Sequence, residues 1–378
     1  MTRRPLRVLL ITPDYPPGVG GIQTLLGRIT QVMDHCDVHV LTPSAPGDKV
    51  SDANDSNDVI RVPTPGRRAF VHHVLFNLLG TLFLSRHRPD VIVNGHVVTA
   101  PLAWFAGKIT GAPTVLYAYG KEVGARPRLT AWALRRSRAA VAISQYTKGE
   151  LHRAAGPRSA TPIYVVRPGV DVPETPPART GSSPTIITVG RLRDRYKGHD
   201  MVMAALPDVL LAVPDLQWVI VGDGRIRADL EQVATSLGVA EHVHFVGAVS
   251  DSEKQDLLGQ ADLFVMPARY PRGEIGGEGF AIVYLEAAAL GVPSLAGNVG
   301  GPAEAVVDGE TGILIDPEDK DEIARSIVRL MSDSPLTTAL GIAARDRVKA
   351  ELEWPIVGRE LQSVLQTVAQ MGAPSPSD

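Results

Sequence analysis

RVLLITPDYPPGVGGIQ, Arg7 to Gln23, carries an apolar run into a turn crowded with proline and glycine, and the turn into an apolar, helix-like pattern. A continuous apolar run bounded by turn residues reads as a strand buried on both faces, as in parallel sheets covered by helices. The glycines suggest a dinucleotide-binding turn, but the fingerprint G-x-G-x-x-G fails. Gly18 and Gly20 fit it, and Gln23 stands in the third place.

The same rhythm of strand and helix continues along the chain. Apolar runs in the first half are RVLLIT, VHVLT, VIVN, TVLYAY, AVAIS and IYVVR; in the second half they are TIITVG, QWVIVG, VHFVG, LFVMP, VPSLAG and GILID. Stretches of helix length lie between most of them, so each half reads as a parallel α/β sheet of about six strands. Val170 to Thr185, VDVPETPPARTGSSPT, holds four prolines and a Gly-Ser-Ser run and reads as a linker. The expected domains are 1–172 and 182–355. A helix at about 356–371 either closes the second or crosses back to the first, and the tail APSPSD is expected to be unstructured.

Composition fits this outline. A chain of 378 residues exceeds one ordinary core. Hydrophobic residues at 44% and charged residues at 21% are ordinary for a soluble globular protein, and a net charge of −3 argues against a general nucleic-acid binder. Cys36 is the only cysteine, which leaves no internal disulfide and no cysteine metal cluster. MTRRPLRVLLIT is too short and strand-like for a secretory signal, so the expected location is cytoplasmic. Ala69 to Ser85, AFVHHVLFNLLGTLFLS, is shorter than a bilayer span and carries His72, His73 and Asn77. It reads as a mostly buried core helix in preference to one with a face on a membrane.

Two clusters carry chemistry. In GGEGFAIVYLEAAALGVP, Gly276 to Pro293, a helix is expected from near Ala281 to a C-cap at Gly291. Glu278 then precedes the helix and Glu286 lies inside it. Gly279 lets a ligand approach the backbone, and the helix N-terminus offers N–H groups to an anion. Such an arrangement suits a sugar nucleotide, although two glutamates alone read as an ordinary amphipathic helix. The second cluster is RLRDRYKGHD, which places Arg191, Arg193, Arg195 and Lys197 after the strand TIITVG. Cations at the carboxyl end of a parallel strand fit a diphosphate and stabilise it as a leaving group; a solvated basic loop is the plainer alternative.

VGRL and KGHD, followed by EGFAIVYLEAAALGVPSLAG, resemble the retaining glycosyltransferases of family 4, the type with two Rossmann-like doubly wound domains facing across a cleft (GT-B). The pair Glu278 and Glu286 matches their E-x7-E signature. Through PPGVGGIQ, YGKEVG, SQYTK, MPARYPRG and GGEGFAIVYLEA the chain looks nearest to phosphatidylinositol-mannoside mannosyltransferases. The resemblance implies an acceptor-side first domain and a nucleotide-sugar second domain. It implies that Arg191 and Lys197 clamp the diphosphate, Glu278 contacts the transferred sugar and Glu286 the ribose. Backbone at Gly279, Phe280, Ala281, Ile282 and Val283 would hold sugar hydroxyls and phosphate, with Val249, Ser250, Asp251 and Lys254 near the base. Gly20 and Gly21 would face the donor phosphate and Gln23 the acceptor. Relatives often carry a histidine at the end of the fourth strand; here Tyr119 holds that place, and Tyr119 or Lys121 would donate in its stead.

The implied reaction is transfer of a hexosyl group from a nucleoside-diphosphate sugar, GDP-mannose or a UDP-sugar, with no metal and no cofactor. The acceptor is a phosphatidylinositol-mannoside-type glycolipid or a small soluble molecule such as an aminocyclitol. A non-catalytic sugar-nucleotide binder and an epimerase are the readings from other classes. Arg126 to Arg138, RPRLTAWALRRSR, is a basic amphipathic helix: either a solvated face or a contact with anionic lipid at the inner face of the plasma membrane. VGDGRIRADL reads as a tight turn, Asp319 to Asp321 as a solvated helix start, and His72 with His73 as unable to share one ion.

Overall fold

The computed structural model describes residues 4–64, 69–86, 88–156, 159–177, 179–181, 183–193, 195–270 and 277–372. Seven strands form one sheet: β1 (Leu6–Ile11), β2 (Cys36–Pro43), β3 (Asp58–Val62), β4 (Val91–Asn94), β5 (Thr114–Ala118), β6 (Ala139–Ala142) and β7 (Ile163–Val165). Six form another: β8 (Thr185–Val189), β9 (Gln217–Val221), β10 (Val243–Gly247), β11 (Leu263–Met266), β12 (Ser294–Gly297) and β13 (Gly312–Ile315). Their orders are β3-β2-β1-β4-β5-β6-β7 and β10-β9-β8-β11-β12-β13. All pairings between these strands are parallel. In both sheets the order reverses beside the first strand, between β1 and β4 and between β8 and β11, and the carboxyl ends there open a crevice for a ligand.

The expected strands are present, but the count for the first sheet falls one short. The missing one is β3, an edge strand of sequence DVIRV whose Asp58 and Arg61 interrupt the apolar run. The central strands β4, β5 and β6 are buried throughout, which is why they read as uninterrupted apolar sequence.

The chain divides into two units. One comprises the residues up to Gly169 together with those from Trp354, and the other runs from Val170 to Glu353. In the first unit the helix Trp354–Met371 packs on the helix Gly21–Gln31 and on β4. Gly358 makes this close approach, since a Cβ there would stand 2.6 Å from a Val32 methyl. Apolar clusters around Leu9, Ile92 and Leu102, and around Leu116, Leu134 and Leu151, fill the unit. Each such side chain contributes about 1.5–3 kcal/mol by leaving water.

In the second unit Trp218 is fully buried among Ile186, Leu206, Ile220 and Val265. Its indole N–H donates to Thr188 Oγ1 at 3.0 Å, and that hydroxyl donates to the Val265 carbonyl, which ties β9, β8 and β11 with no polar atom of the thread left unpaired. The proline-rich segment after Val170 is held to this unit. The Val170 N–H donates to the Leu352 carbonyl at 2.8 Å, and Arg345 donates to the carbonyls of Pro173 and Glu174 at 2.5 and 3.0 Å.

The stretch expected as one mostly buried helix differs. It is a helix, Ala69–Leu79, followed by a 3₁₀ segment, Gly80–Arg86, and it buries Phe76 and Leu84 while exposing Val71, Val74, Leu78 and Leu82. Asp319 caps the helix Lys320–Ser332 by accepting from the N–H groups of Asp321 and Glu322, as a helix start should. APSPSD lies outside the described residues. Among the described residues no helix is long and apolar enough to cross a membrane.

Candidate active site

In the second unit β8 runs into Gly190 and Arg191, and a single 3₁₀ turn, Arg195–Lys197, brings Tyr196 and Lys197 back over the strand end. Lys197 Nζ donates to Glu278 Oε2 at 2.9 Å and the Tyr196 hydroxyl donates to the same oxygen at 3.2 Å. Two glycines make room for this. A Cβ at Gly190 would stand 2.9 Å from the Lys197 stem, and Gly198, with φ +82°, would drive one to 2.3 Å from the Pro267 carbonyl. The paired side chains are 14% and 21% exposed, so the ion pair is largely out of water. Burial alone would push the Glu278 carboxyl up; the Lys197 charge, the two hydrogen bonds and the charge of exposed Arg191 outweigh it and hold the group below the usual carboxylate range.

The helix carrying Glu286 is shorter than expected. It spans Val283–Ala289, because Ala281 sits at φ 64° and breaks the helical path before it. A left-handed alanine costs of order 1 kcal/mol and is held here by packing on both sides. Phe280 and Tyr284 are buried, the Tyr284 hydroxyl donates to the Met266 carbonyl at 2.5 Å, and its ring meets Phe264 edge to face at 5.2 Å. Phe280 therefore offers a ligand only its backbone.

Glu286 accepts from Lys254 Nζ at 2.9 Å, and Lys254 reaches Asp251 at 3.0 Å. Burial would lower the Lys254 ammonium; Glu286 and then Asp251 raise it above its ordinary value. Lys254, which the resemblance places near the base, is thus ion-paired with Glu286. Ser250 caps the helix Asp251–Gln260, so its side chain is committed to the Glu253 N–H at 3.2 Å.

Sequence reasoning missed three features of this site. Tyr196 carries no motif, and only the fold shows it over Glu278. Gly300 and Gly301 lie against the Glu278 segment: the Gly301 N–H donates to the Glu278 carbonyl at 3.0 Å, and a Cβ on Gly301 would stand 2.1 Å from the Gly279 carbonyl. The double glycine in GNVGG was the available signal. His199 is 1% exposed with no hydrogen-bond partner on either ring nitrogen among the described residues, and burial, with the Lys197 charge, pushes it down to about 4.

The first unit presents a different set. The turn after β1 is held by the unforeseen strand β3, whose Arg61 donates to the Pro16 carbonyl at 2.5 Å and to Asp52 at 2.6 Å. Gln23, expected to face an acceptor, donates its amide to Asp14 at 2.8 Å. Gly20 leaves space for it, since a Cβ there would stand 2.6 Å from Gln23 Oε1; Gly21 is exposed and open. Burial pushes Asp14 up to about 6.

At the end of β5 the N–H groups of Tyr119 and Gly120 donate to Glu122 at 2.5 and 3.3 Å, yet burial still raises that carboxyl. Tyr119, expected to donate in place of the family's histidine, is 5% exposed, its ring 5.1 Å from that of Tyr117, and neither hydroxyl has a hydrogen-bond partner among the described residues. Lys121 is exposed at the start of the helix Lys121–Ala125. The structure thus joins Lys197 with Glu278 and Lys254 with Glu286, and leaves Arg191 beside the first pair. Among the described residues no three His, Cys, Asp or Glu side chains gather as a metal site requires.

Residues 19–174 match the model of Glycosyltransferase Family 4, and residues 175–347 match that of glycosyl transferases group 1. A GDP-mannose-dependent alpha-(1-6)-phosphatidylinositol monomannoside mannosyltransferase of Mycobacterium tuberculosis is 33% identical over 386 residues, covering 95% of this chain and 98% of that protein. A monoacylated-substrate counterpart from Corynebacterium glutamicum is 34% identical over 398 residues, covering 96% and 98%. Anabaena HepE in complex with UDP and glucose superposes with a TM-score of 0.79 at 20% identity, over 96% of this chain and 100% of that one, a likeness of fold.

Proposed function

The chain belongs to glycosyltransferase family 4 and is a hexosyltransferase, and from that premise we propose that it moves a mannosyl group from GDP-mannose to a phosphatidylinositol-mannoside-type glycolipid, with retention and without a metal. The observation that carries the donor half is the Lys197–Glu278 pair at the crevice between β8 and β11, with Lys254–Glu286 beside it. The acceptor half draws on the two mannosyltransferase relatives.

Lys197 and Arg191 hold the diphosphate and stabilise the charge that grows on it as the glycosidic bond to phosphate breaks. Glu278 accepts hydrogen bonds from hydroxyls of the transferred sugar. Glu286, fixed by Lys254, accepts from the ribose hydroxyls. Backbone from Gly279 to Val283 approaches sugar and phosphate where side chains would not fit. In a front-face reaction the acceptor oxygen bonds to the anomeric carbon on the side the phosphate leaves, and the acceptor proton passes to the departing phosphate oxygen. No carboxylate nucleophile is needed, so the configuration is kept without a covalent sugar–enzyme intermediate.

Incubation with GDP-mannose or UDP-glucose, phosphatidylinositol monomannoside and EDTA tests the proposal. The expected product is an α-mannosylated glycolipid with release of GDP at a rate that EDTA does not change. A β-linked product rejects retention, an EDTA-sensitive rate rejects metal independence, and transfer only to a soluble acceptor rejects the glycolipid.

A further inference from the structure

Tyr196 and Lys197 reach Glu278 from a turn that buries little of itself, and we infer that Arg269 and Asp200 form a clasp that holds this turn in place, as positioning residues for Lys197. None of the residues in the 3₁₀ turn Arg195–Lys197 is fully buried. Apolar packing therefore does little to fix where the Lys197 ammonium stands, although a misplacement of about 1 Å can cost a hundredfold in rate. The inference rests on the reading of Lys197 as a diphosphate ligand and adds what keeps it there.

The clasp comes from the strand beside β8. β11 ends at Met266, and the residues that follow lie against the turn. Gly198 is seated so close to Pro267 that a Cβ on it would meet the Pro267 carbonyl at 2.3 Å. The Arg269 N–H donates to the Tyr196 carbonyl at 2.8 Å. The Arg269 guanidinium then donates through both Nη atoms to Asp200, at 3.0 Å to Oδ1 and at 2.7 Å to Oδ2. Arg269 thus grips the segment at both ends, Tyr196 by its backbone and Asp200 by its side chain, with Lys197 between them.

Asp200 lies in the first turn of the helix His199–Ala212, where an acid is favourable without any partner. The fork is what sets it apart. A two-pronged pair of guanidinium and carboxylate is among the stronger hydrogen-bonded contacts, and it fixes direction as well as distance. The two side chains are 12 and 23% exposed, so salt and water screen the pair weakly. His199, next to Asp200, is buried in the core, which gives the segment a fixed end beyond Lys197. Asp200 occupies both Nη atoms, which leaves Arg269 to act on the diphosphate through Lys197 and not as a further phosphate ligand.

Titration of GDP into single and combined variants of the full chain tests the clasp. Arg269→Ala and Asp200→Asn are each expected to weaken GDP binding about fivefold in the parent, but less than about twofold when Lys197→Ala is already present, because the lysine they position is then gone. Arg269→Lys is expected to behave like Arg269→Ala, since one ammonium cannot span both carboxylate oxygens. Asp200→Asn keeps the shape of the helix start and carries the test if Arg269→Ala does not fold. A general loosening of the unit would weaken binding equally in both backgrounds, so the cycle separates positioning from mere structure. Parent-like GDP binding by the Arg269→Ala or Asp200→Asn chain, an equal loss with and without Lys197, or full recovery with Arg269→Lys would each overturn the clasp. Parent-like binding by Lys197→Ala overturns the donor-site reading and the clasp with it; a loss confined to Lys197→Ala overturns the clasp alone.

Discussion

The two units follow the same topological plan and differ in what stands at its crevice. Beyond β8 and β11 the second unit sets charge against charge, Lys197 on Glu278 at 2.9 Å and Lys254 on Glu286 at 2.9 Å. Beyond β1 and β5 the first unit pushes its acids toward neutrality, with Asp14 raised to about 6 and Glu122 raised by burial, and it buries the hydroxyls of Tyr117 and Tyr119 without partners among the described residues. The plan fixes where a ligand can lie; the residues decide which. A diphosphate needs the cations of the second unit. The first offers weaker hydrogen-bonding groups.

The largest effect expected from breaking this contrast lies in turnover. Arg191→Ala with Lys197→Ala removes leaving-group stabilisation of about 2–4 kcal/mol, a drop in kcat of roughly thirtyfold to nearly a thousandfold at saturating donor. Tyr119→Phe in the first unit removes a hydroxyl with no partner among the described residues, so it should cost turnover no more than one neutral hydrogen bond to the donor sugar, about 1 kcal/mol. If the double variant turned over like the parent, or Tyr119→Phe cost more than it did, the division of labour between the units would be wrong.

Acid should separate the units next. His199 in the second unit is lowered to about 4 by burial, so the unfolded chain binds its proton first as pH falls. Its contribution is complete above the ordinary histidine value and is lost between about pH 6.5 and 4, up to about 3 kcal/mol. Glu278, also held low, adds a loss of the same sign at still lower pH. In the first unit His96, lowered to about 4 by burial, acts in the same sense, but Asp14 acts in the opposite one. Its carboxyl is raised to about 6, so the folded state holds that proton and gains stability as pH falls through 6. Hydrogen exchange at pH 7 and pH 5 should therefore show protection falling more in Val170–Glu353 than in the other unit, and His199→Gln should lessen the difference. Equal loss in both units would contradict this.

The smallest effects sharpen the internal arrangement of the second unit. Lys254→Ala leaves Glu286 without its partner and should raise the donor KM about tenfold with kcat nearly unchanged, since Lys254 acts on binding through Glu286. Tyr196→Phe removes one hydrogen bond from Glu278, about 1 kcal/mol, and should lower kcat a few-fold. A change in kcat for the lysine variant, or in KM alone for the tyrosine variant, would reverse these assignments.

Much of this was legible in the sequence because buried parallel strands leave unbroken apolar runs, and because Arg191, Lys197, Glu278 and Glu286 sit in local patterns. The strand β3 was not legible: an edge strand carries polar residues that break the run. Pairing was not legible either, since Lys197 and Glu278 stand 81 positions apart and only the strand order brings them together. Gly301 is demanded by a backbone from another segment, which no local pattern records. The stretch from Ala69 to Ser85 is apolar nearly all round, so its sequence could not say which side the core would cover.

Titration of GDP, with no sugar and no acceptor, into the parent, Lys197→Ala and Glu278→Gln tests the central claim most directly. Because Glu278 competes with the diphosphate for Lys197, Glu278→Gln should bind GDP at least as tightly as the parent, and Lys197→Ala should bind it at least about tenfold more weakly, about 1.4 kcal/mol. Binding of GDP by Lys197→Ala with the affinity of the parent would contradict the account.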